Sequence, residues 1–156
     1  MDNARRKILK SAGAVSVVTV AAAAGLLKPG TVFANTWNKD AFEARDLAKA
    51  MAGVGGTGAE QSGQIEVKAA DIAENGAVVP VEVISRIPGT ESIVIVAEKN
   101  SFPLIGDFKL MNGAEGYVST RIKLGATSNV RALVRSGGKT FTAAKEVKVT
   151  IGGCGG

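Results

Sequence analysis

The strongest constraint on the fold is a run of apolar side chains at every second position, which begins after a glycine-rich break. Five glycines interrupt regular structure over residues 53–63, "GVGGTGAEQSG". Beyond them, "QIEVKA" and "AVVPVEVIS" place their apolar residues on one face of an extended chain. A strand that is apolar on one face has to bury that face against a second layer, so the pattern predicts two packed sheets.

Further segments extend the strand pattern towards the end of the sequence. Besides the two above, they are "ESIVIVAE", "GYVSTRIKL", "SNVRALVR", "TFTAAKEVKVTIG" and a short strand near Phe108 to Met111. "SGGK" at 136–139 predicts a hairpin turn, and Pro80 predicts an edge strand or a bulge. Roughly seven short strands at this spacing predict a mainly β chain, an immunoglobulin-like antiparallel β-sandwich.

One helix is predicted ahead of the glycine-rich break. Asn38 can cap the segment "KDAFEARDLAKAM", in which Ala41, Ala44, Ala48 and Met51 follow helical spacing. We expect about three turns of helix. The apolar stripe should pack on one side or one end of the sandwich.

Composition excludes several classes of active site. The sequence contains no histidine, so Ser-His-Asp and Cys-His arrangements and histidine-based metal sites are impossible. The single cysteine rules out a cysteine zinc cluster and a disulfide within the chain. We therefore expect no metal and no cofactor.

That cysteine lies in the last six residues of the sequence, "IGGCGG". Val147, Val149 and Ile151 alternate with polar residues, so the last strand should extend to about Ile151. The residues that follow it, 152–156, include four that have no side chain to pack and are costly to order: Gly152, Gly153, Gly155 and Gly156. The sequence predicts a flexible arm on which Cys154 can reach on the order of 10 Å from Ile151.

The role of Cys154 has several candidate explanations. A buried structural cysteine needs a core, which this glycine-rich flank does not offer. An enzymatic nucleophile needs a lowered thiol pKa, and no cation lies beside it in the tail. A disulfide to a second copy remains open. We favour a carrier thiol that becomes reactive only inside a partner's active site.

The first 34 residues have the features of an export signal. "ARRKILK" contains the adjacent pair Arg5 and Arg6 of a twin-arginine signal, an apolar stretch follows, and "TVFA" predicts cleavage after Ala34. An uncleaved membrane anchor is the alternative. Five of the 19 basic residues and one of the 14 acidic residues precede residue 35, which leaves the remainder at +1. No basic surface for nucleic acid is therefore expected.

Several segments together resemble the SoxY family, the sulfur-carrier subunits of the bacterial thiosulfate-oxidising Sox system. They are "DIAENGAVVPV" (71–81), "EKNSFPL" (98–104), "STRIKLGATSNV" (119–130) and "KEVKVTIGGCGG" (145–156), with the twin-arginine signal ahead of them. The resemblance covers nearly the whole chain. Ser101 stands where the family's proline is expected after "EKN", which affects a loop.

The resemblance implies a function and a set of partners. It implies that Cys154 holds thiosulfate-derived sulfur covalently in the periplasm, as a carrier and not an enzyme. The implied partners are a SoxZ-like subunit in a heterodimer, a c-type cytochrome that loads thiosulfate, a sulfate-releasing hydrolase and a sulfane dehydrogenase. SoxZ has no signal of its own, so the resemblance also implies export of SoxZ together with this chain.

Two other functions are conceivable from the sequence. A ubiquitin-like sulfur carrier would use the Gly156 carboxylate and needs ATP, which disagrees with an export signal. A periplasmic assembly module would use Cys154 only for a disulfide.

Asp71 and Glu74 near Lys68 indicate a solvated turn more than an acidic site. Four cations alternate along two predicted strands: Arg121, Lys123, Arg131 and Arg135. They could form one positive face, or they could simply occupy solvent-facing strand positions.

Overall fold

Two short helices precede nine strands in residues 37–111 and 113–151, the part of the chain that the computed structural model describes. The chain divides into two units, Met1–Trp37 and Asn38–Gly156, and the second contains all of these elements. The elements are α1 (Lys39–Phe42), α2 (Leu47–Gly53), β1 (Glu60–Gln61), β2 (Ile65–Ala69), β3 (Ile72–Asn75), β4 (Val79–Ser85), β5 (Thr90–Ala97), β6 (Leu104–Lys109), β7 (Tyr117–Ile122), β8 (Ser128–Ser136) and β9 (Lys139–Ile151).

The strands form two sheets, which confirms the mainly β sandwich. The larger sheet has the order β1-β9-β8-β5-β6, with β3 also paired to β9, and the smaller sheet has the order β2-β4-β7. Most neighbours are antiparallel, as predicted, but β1 and β3 pair with β9 in parallel. These two short strands were not predicted, because two to four residues are too few to show an alternating pattern.

The main core lies between the two sheets. Ile93 and Ile95 of β5 and Val134 of β8 are fully buried there, with Val81 and Val83 of β4 in the same cluster. The alternation of β4 has the predicted sense, since Val79, Val81 and Val83 are all buried on one face. Burial of these β-branched side chains is the main contribution to the stability of the sandwich.

The helices cover the outer face of the larger sheet. Val94 and Val96 point away from the sandwich core and pack with Leu133 against Ala41 and Ala50. Strand β5 is therefore buried on both faces, which accounts for its almost continuous apolar sequence. The prediction that the helical segment packs on one side of the sandwich is confirmed.

The prediction of one continuous helix is wrong. Asn38 caps α1 as predicted, by accepting a hydrogen bond from the Ala41 amide, but α1 ends at Phe42. Asp46 adopts an extended conformation, and its carboxylate accepts a hydrogen bond from the Lys49 amide at the start of α2. A second N-cap inside an apolar periodic segment thus starts a new helix in place of continuing the first.

Two predicted backbone features have different outcomes. The hairpin between β8 and β9 is confirmed, and Gly137 and Gly138 both have positive φ, 55° and 75°, as a tight two-residue turn requires. Pro80 lies on β4, the central strand of the smaller sheet, so the prediction of an edge strand is wrong. The ladder between β2 and β4 ends at the pair Ala69 and Val81, and Pro80 pairs only with Arg121 of β7.

Candidate functional site

The residues predicted to carry the function lie at the two ends of the sequence. Cys154 and the arm glycines Gly152, Gly153, Gly155 and Gly156 fall outside the described residues, and so do Arg5 and Arg6. Strand β9 reaches Ile151, the position at which the alternating pattern predicts the last strand to end. The described part of the site is therefore the base from which the chain continues towards Cys154.

At this base β9 exchanges one neighbouring strand for another. Its ladder with β8 runs from the pair Ser136 and Lys139 to the pair Ser128 and Val147. Its parallel ladder with β3 begins at Ile72 and Lys148 and ends at Asn75 and Ile151. The last four residues of β9 are thus aligned by β3, on the opposite edge from β8.

Hydrogen bonds hold these last residues to β3, to Asp71 just before it, and to the loop before β8. The Lys148 amide donates to the Asp71 carbonyl at 2.9 Å, and the Thr150 hydroxyl donates to the Glu74 carbonyl at 3.0 Å. On the side where β8 has ended, the Val149 amide donates to the Thr127 hydroxyl oxygen at 3.0 Å. These contacts hold the last described residues of β9 in place beyond the end of β8.

A lysine clamps the start of β3 to β9. The Lys145 ammonium lies 2.9 Å from the Asp71 carboxylate and donates a second hydrogen bond, of 2.7 Å, to the Ala69 carbonyl. The hydrogen bond from Lys145, followed by its charge, holds the pKa of Asp71 below its usual value, and the charge of Lys148 contributes in the same direction. Asp71 is therefore ionised at neutral pH and keeps this clamp closed.

Asp71, Glu74 and Lys68 do not form an acidic site. Asp71 pairs with Lys145, whereas Lys68 lies 3.8 Å from Glu66, so Lys68 does not join Asp71 and Glu74 in one cluster. The "ENG" segment does turn, because the Asn75 side chain accepts a hydrogen bond from the Ala77 amide. Glu74, however, belongs to β3 and not to the turn.

The four cations considered as a positive face lie apart. Arg131 pairs with Glu98, and Arg135 lies 3.6 Å from Asp107 and also donates to the Val54 carbonyl at the end of α2. Arg121 is exposed on β7 in the other sheet, and Lys123 follows that strand. Arg131 and Arg135 are about a quarter exposed and each is held in an ion pair, so neither belongs to a positive face shared with Arg121 and Lys123.

Within residues 37–111 and 113–151, no helix is both long enough and apolar enough to cross a membrane. In the same ranges, no three His, Cys, Asp or Glu side chains lie close enough together to hold a metal ion.

Comparison with known protein families identifies the same family that the sequence segments resemble. The family described as "Sulfur oxidation protein SoxY" matches residues 50–154, which include the strands, the base of the arm and Cys154. The chain belongs to the SoxY family.

A solved SoxY structure supports this assignment. The chain is similar to the sulfur carrier protein SoxY from Chlorobium limicola f thiosulfatophilum, with 39% sequence identity and a TM-score of 0.61. The similarity covers 68% of this chain and 97% of that one. An engineered protein matches at 13% identity and a TM-score of 0.42, over 56% of this chain and 20% of its own. No curated protein matches the chain.

The comparisons confirm the resemblance and the SoxY-like fold. The predicted carrier class is confirmed at the level of the family, since the SoxY structure is that of a sulfur carrier protein. The base of the arm is what sequence reasoning missed: β3, Thr127 and Lys145. The only signal for it was the polar "DIAEN" segment, which is too short to predict a strand on its own.

Proposed function

We propose that this SoxY-family chain carries sulfur covalently on Cys154 and presents it to the enzymes of sulfur oxidation. The observation that carries the proposal is the family match, which extends to residue 154 and so includes the only cysteine of the chain. With one thiol and no histidine, Cys154 is the one side chain that can form a reversible sulfur–sulfur bond. Its activation is supplied by the partner enzymes.

The proposed cycle begins and ends with the free Cys154 thiol. The Cys154 thiol and thiosulfate join through a new sulfur–sulfur bond, which releases one proton and two electrons to a c-type cytochrome. Water then cleaves the bond between the outer sulfur and the sulfonate group, which yields sulfate, a proton and a persulfide on Cys154. A hydrolase performs this second step. A sulfane dehydrogenase then passes six electrons from the outer persulfide sulfur to cytochrome acceptors, while three water molecules supply oxygen and seven protons are released, which leaves a sulfonate on the Cys154 sulfur. A second hydrolysis by water releases sulfate and a proton and restores the Cys154 thiol.

The proposal places the carrier in a heterodimer with a SoxZ-like subunit in the periplasm. Arg5 and Arg6 support export through the twin-arginine pathway, which transports folded proteins and can carry a bound subunit. Replacement of both by Lys should leave the precursor and the SoxZ-like subunit in the cytoplasm. Normal amounts of processed protein in the periplasm would contradict this route, and N-terminal sequencing would test cleavage after Ala34.

Intact mass after loading tests the carrier function. The wild-type chain, incubated with thiosulfate and its loading cytochrome, should gain the mass of a thiosulfate adduct on Cys154, and Cys154→Ser should gain none. A chain that forms only a disulfide-linked dimer would support the alternative, a structural or assembly module of the periplasm. An adduct on the Cys154→Ser chain would overturn the assignment of the carrier residue.

A further inference from the structure

The end of β9 differs from the rest of the strand in what holds it. From Lys139 to Val147 the strand is paired with β8, which is itself an inner strand of the larger sheet. Within the described residues, 148–151 have a strand partner on one edge only, the four-residue β3. On the other edge the side chain of Thr127 takes the place of a strand, by accepting from the Val149 amide.

The two segments also differ in how much apolar surface they bury. Val147, the last residue paired with β8, is fully buried, and so are Ala132 and Val134 of β8. In β3, Ala73 is 8% exposed but Ile72 is 57% exposed, and Val149 opposite is only partly buried. Local opening costs less where few apolar contacts and few protected hydrogen bonds are lost. Residues 148–151, which pair with β3, are therefore held more weakly than the part of β9 that pairs with β8.

The bonds that hold the end of β9 to β3 form one small set, and all of them must break for residues 148–151 to be released. The β3 ladder, the Lys148 to Asp71 hydrogen bond and the Thr150 to Glu74 hydrogen bond all join β3 to residues 148–151. A single bond beyond this ladder, from the Leu124 amide to the Gly76 carbonyl at 2.7 Å, ties the following turn to the loop after β7. The Asp71 and Lys145 ion pair closes the other end.

We propose that β3 and residues 148–151 of β9 form a latch that opens while the sandwich stays folded, and that its opening lengthens the carrier arm. When the latch is closed, Cys154 follows the end of β9 at Ile151 by three residues, a span of at most on the order of 10 Å. When it opens, the last residue of β9 held by β8 is Val147, and the four released residues add up to roughly 13 Å to this span. The function of the added reach rests on the proposed carrier role of Cys154.

The longer reach suits partners that have active sites of different depth. A shallow site can accept the arm with the latch closed, whereas a site deeper than the closed arm must release residues 148–151 to bring the sulfur atom to its centre. The partner's contacts with the released chain then offset the lost β3 pairing. A two-length arm lets one carrier serve both kinds of enzyme.

Amide hydrogen exchange of the reduced full chain, monitored by NMR, tests the latch directly. The conditions are chosen so that the exchange rate of each amide reports its opening equilibrium. The Lys148 and Val149 amides should exchange at least about tenfold faster, after correction for intrinsic rates, than the β9 amides bonded to β8. Equal protection of the two segments would mean that β9 opens only as a whole, and would overturn the proposal.

A matched pair of variants isolates the clamp. Asp71→Asn keeps the Asp71 carbonyl that accepts from Lys148 but removes the charge that pairs with Lys145, so exchange at Lys148 and Val149 should rise by about twofold or more. Glu66→Gln breaks a comparable pair with Arg86, 2.8 Å long, in the smaller sheet and should leave these two amides unchanged. An equal rise in both variants, or none in Asp71→Asn, would contradict the assigned role of the clamp.

The exchange pattern is independent of sulfur chemistry. Cys154→Ser abolishes the proposed loading but should leave exchange at Lys148 and Val149 at the wild-type rate. If loading fails while the fast exchange persists, the carrier function is wrong and the latch stands. If loading works while the exchange is uniform along β9, the latch is wrong and the carrier function stands.

Discussion

The carboxylate of Glu98 lies 2.6 Å from the guanidinium of Arg131, and this pair joins the end of β5 to the outer face of β8. Arg131 also donates to the Thr142 hydroxyl at 3.3 Å, and Asn129 donates to the second carboxylate oxygen of Glu98 at 3.0 Å. The Arg131 and Glu98 side chains are 24% and 16% exposed. This partly buried network links β5, β8 and β9.

Removal of Glu98 should therefore destabilise the fold. Glu98→Ala leaves the Arg131 guanidinium partly buried without its anion, so the free energy of unfolding should fall by about 1–3 kcal/mol in urea denaturation. The control is Glu43→Ala, which breaks an exposed pair with Lys39 that is 3.8 Å long. We expect the control to change stability by less than about 0.5 kcal/mol. Equal effects of the two variants would show that burial of the Glu98 pair is not what matters.

Gly116 is a second position where a small change should have a large effect. A Cβ at Gly116 would lie 2.6 Å from the Ser85 carbonyl oxygen, and this backbone atom cannot move without disturbing the ladder between β4 and β7. Gly116→Ala should cost about 1–3 kcal/mol of folding free energy. A Cβ at Gly63 meets nothing within 4 Å, so Gly63→Ala should stay within about 0.5 kcal/mol of wild type in the same denaturation assay.

Acidification should weaken one ion pair in the smaller sheet and one at the start of β3. A hydrogen bond from Arg86 and the charge of Lys68 lower the pKa of Glu66, and Lys145 lowers the pKa of Asp71 in the same way. Because both pKa values are lowered by folding, their stabilising effect is complete above the ordinary carboxyl pKa of about 4 and is lost as the pH falls through the folded-state values.

The pH dependence is measurable with the two neutral variants. Asp71→Asn and Glu66→Gln should each be less stable than wild type in urea at pH 7, and the differences should vanish as the pH is lowered below about 4. A stability difference that persists unchanged at low pH would show that the variants act through packing and not through ionisation. An NMR titration of each carboxyl would check the direction of its pKa directly.

The parts of the fold that were predictable are those with a local signal. The strands β2, β4, β5, β7, β8 and β9 each carry an alternating or continuous apolar pattern, and the glycine pair between β8 and β9 identifies their turn. The strands β1 and β3 were not predictable, because each is defined by a parallel partner that lies far away in the sequence. The helical spacing across residues 39–51 located a helical segment, but residues 43–46 are not helical, Ala48 of the predicted apolar stripe is exposed, and the spacing did not show that Asp46 caps a second helix.

The same distinction applies to the candidate site. The absence of histidine and the glycine flank of Cys154 pointed to a carrier thiol, because they concern residue types and their order in the sequence. The partners of Asp71, Arg131 and Arg135 depend on which strands are adjacent, so sequence reasoning grouped cations that lie on different sheets. The base of the arm belongs to this second kind of feature.

The last prediction concerns the arm glycines and separates their geometry from the chemistry of the thiol. Gly153→Val places a β-branched side chain next to Cys154, which restricts the backbone and widens the segment that, under the proposed carrier function, enters a partner's active site. Sulfur turnover by the partner enzymes should fall at least about tenfold, while alkylation of Cys154 by iodoacetamide stays near the wild-type rate. Gly153→Ala adds only one methyl group, so its sulfur turnover should lie between that of the wild type and that of Gly153→Val. Normal thiosulfate-dependent turnover of Gly153→Val would mean that the glycines do not serve entry into a narrow site.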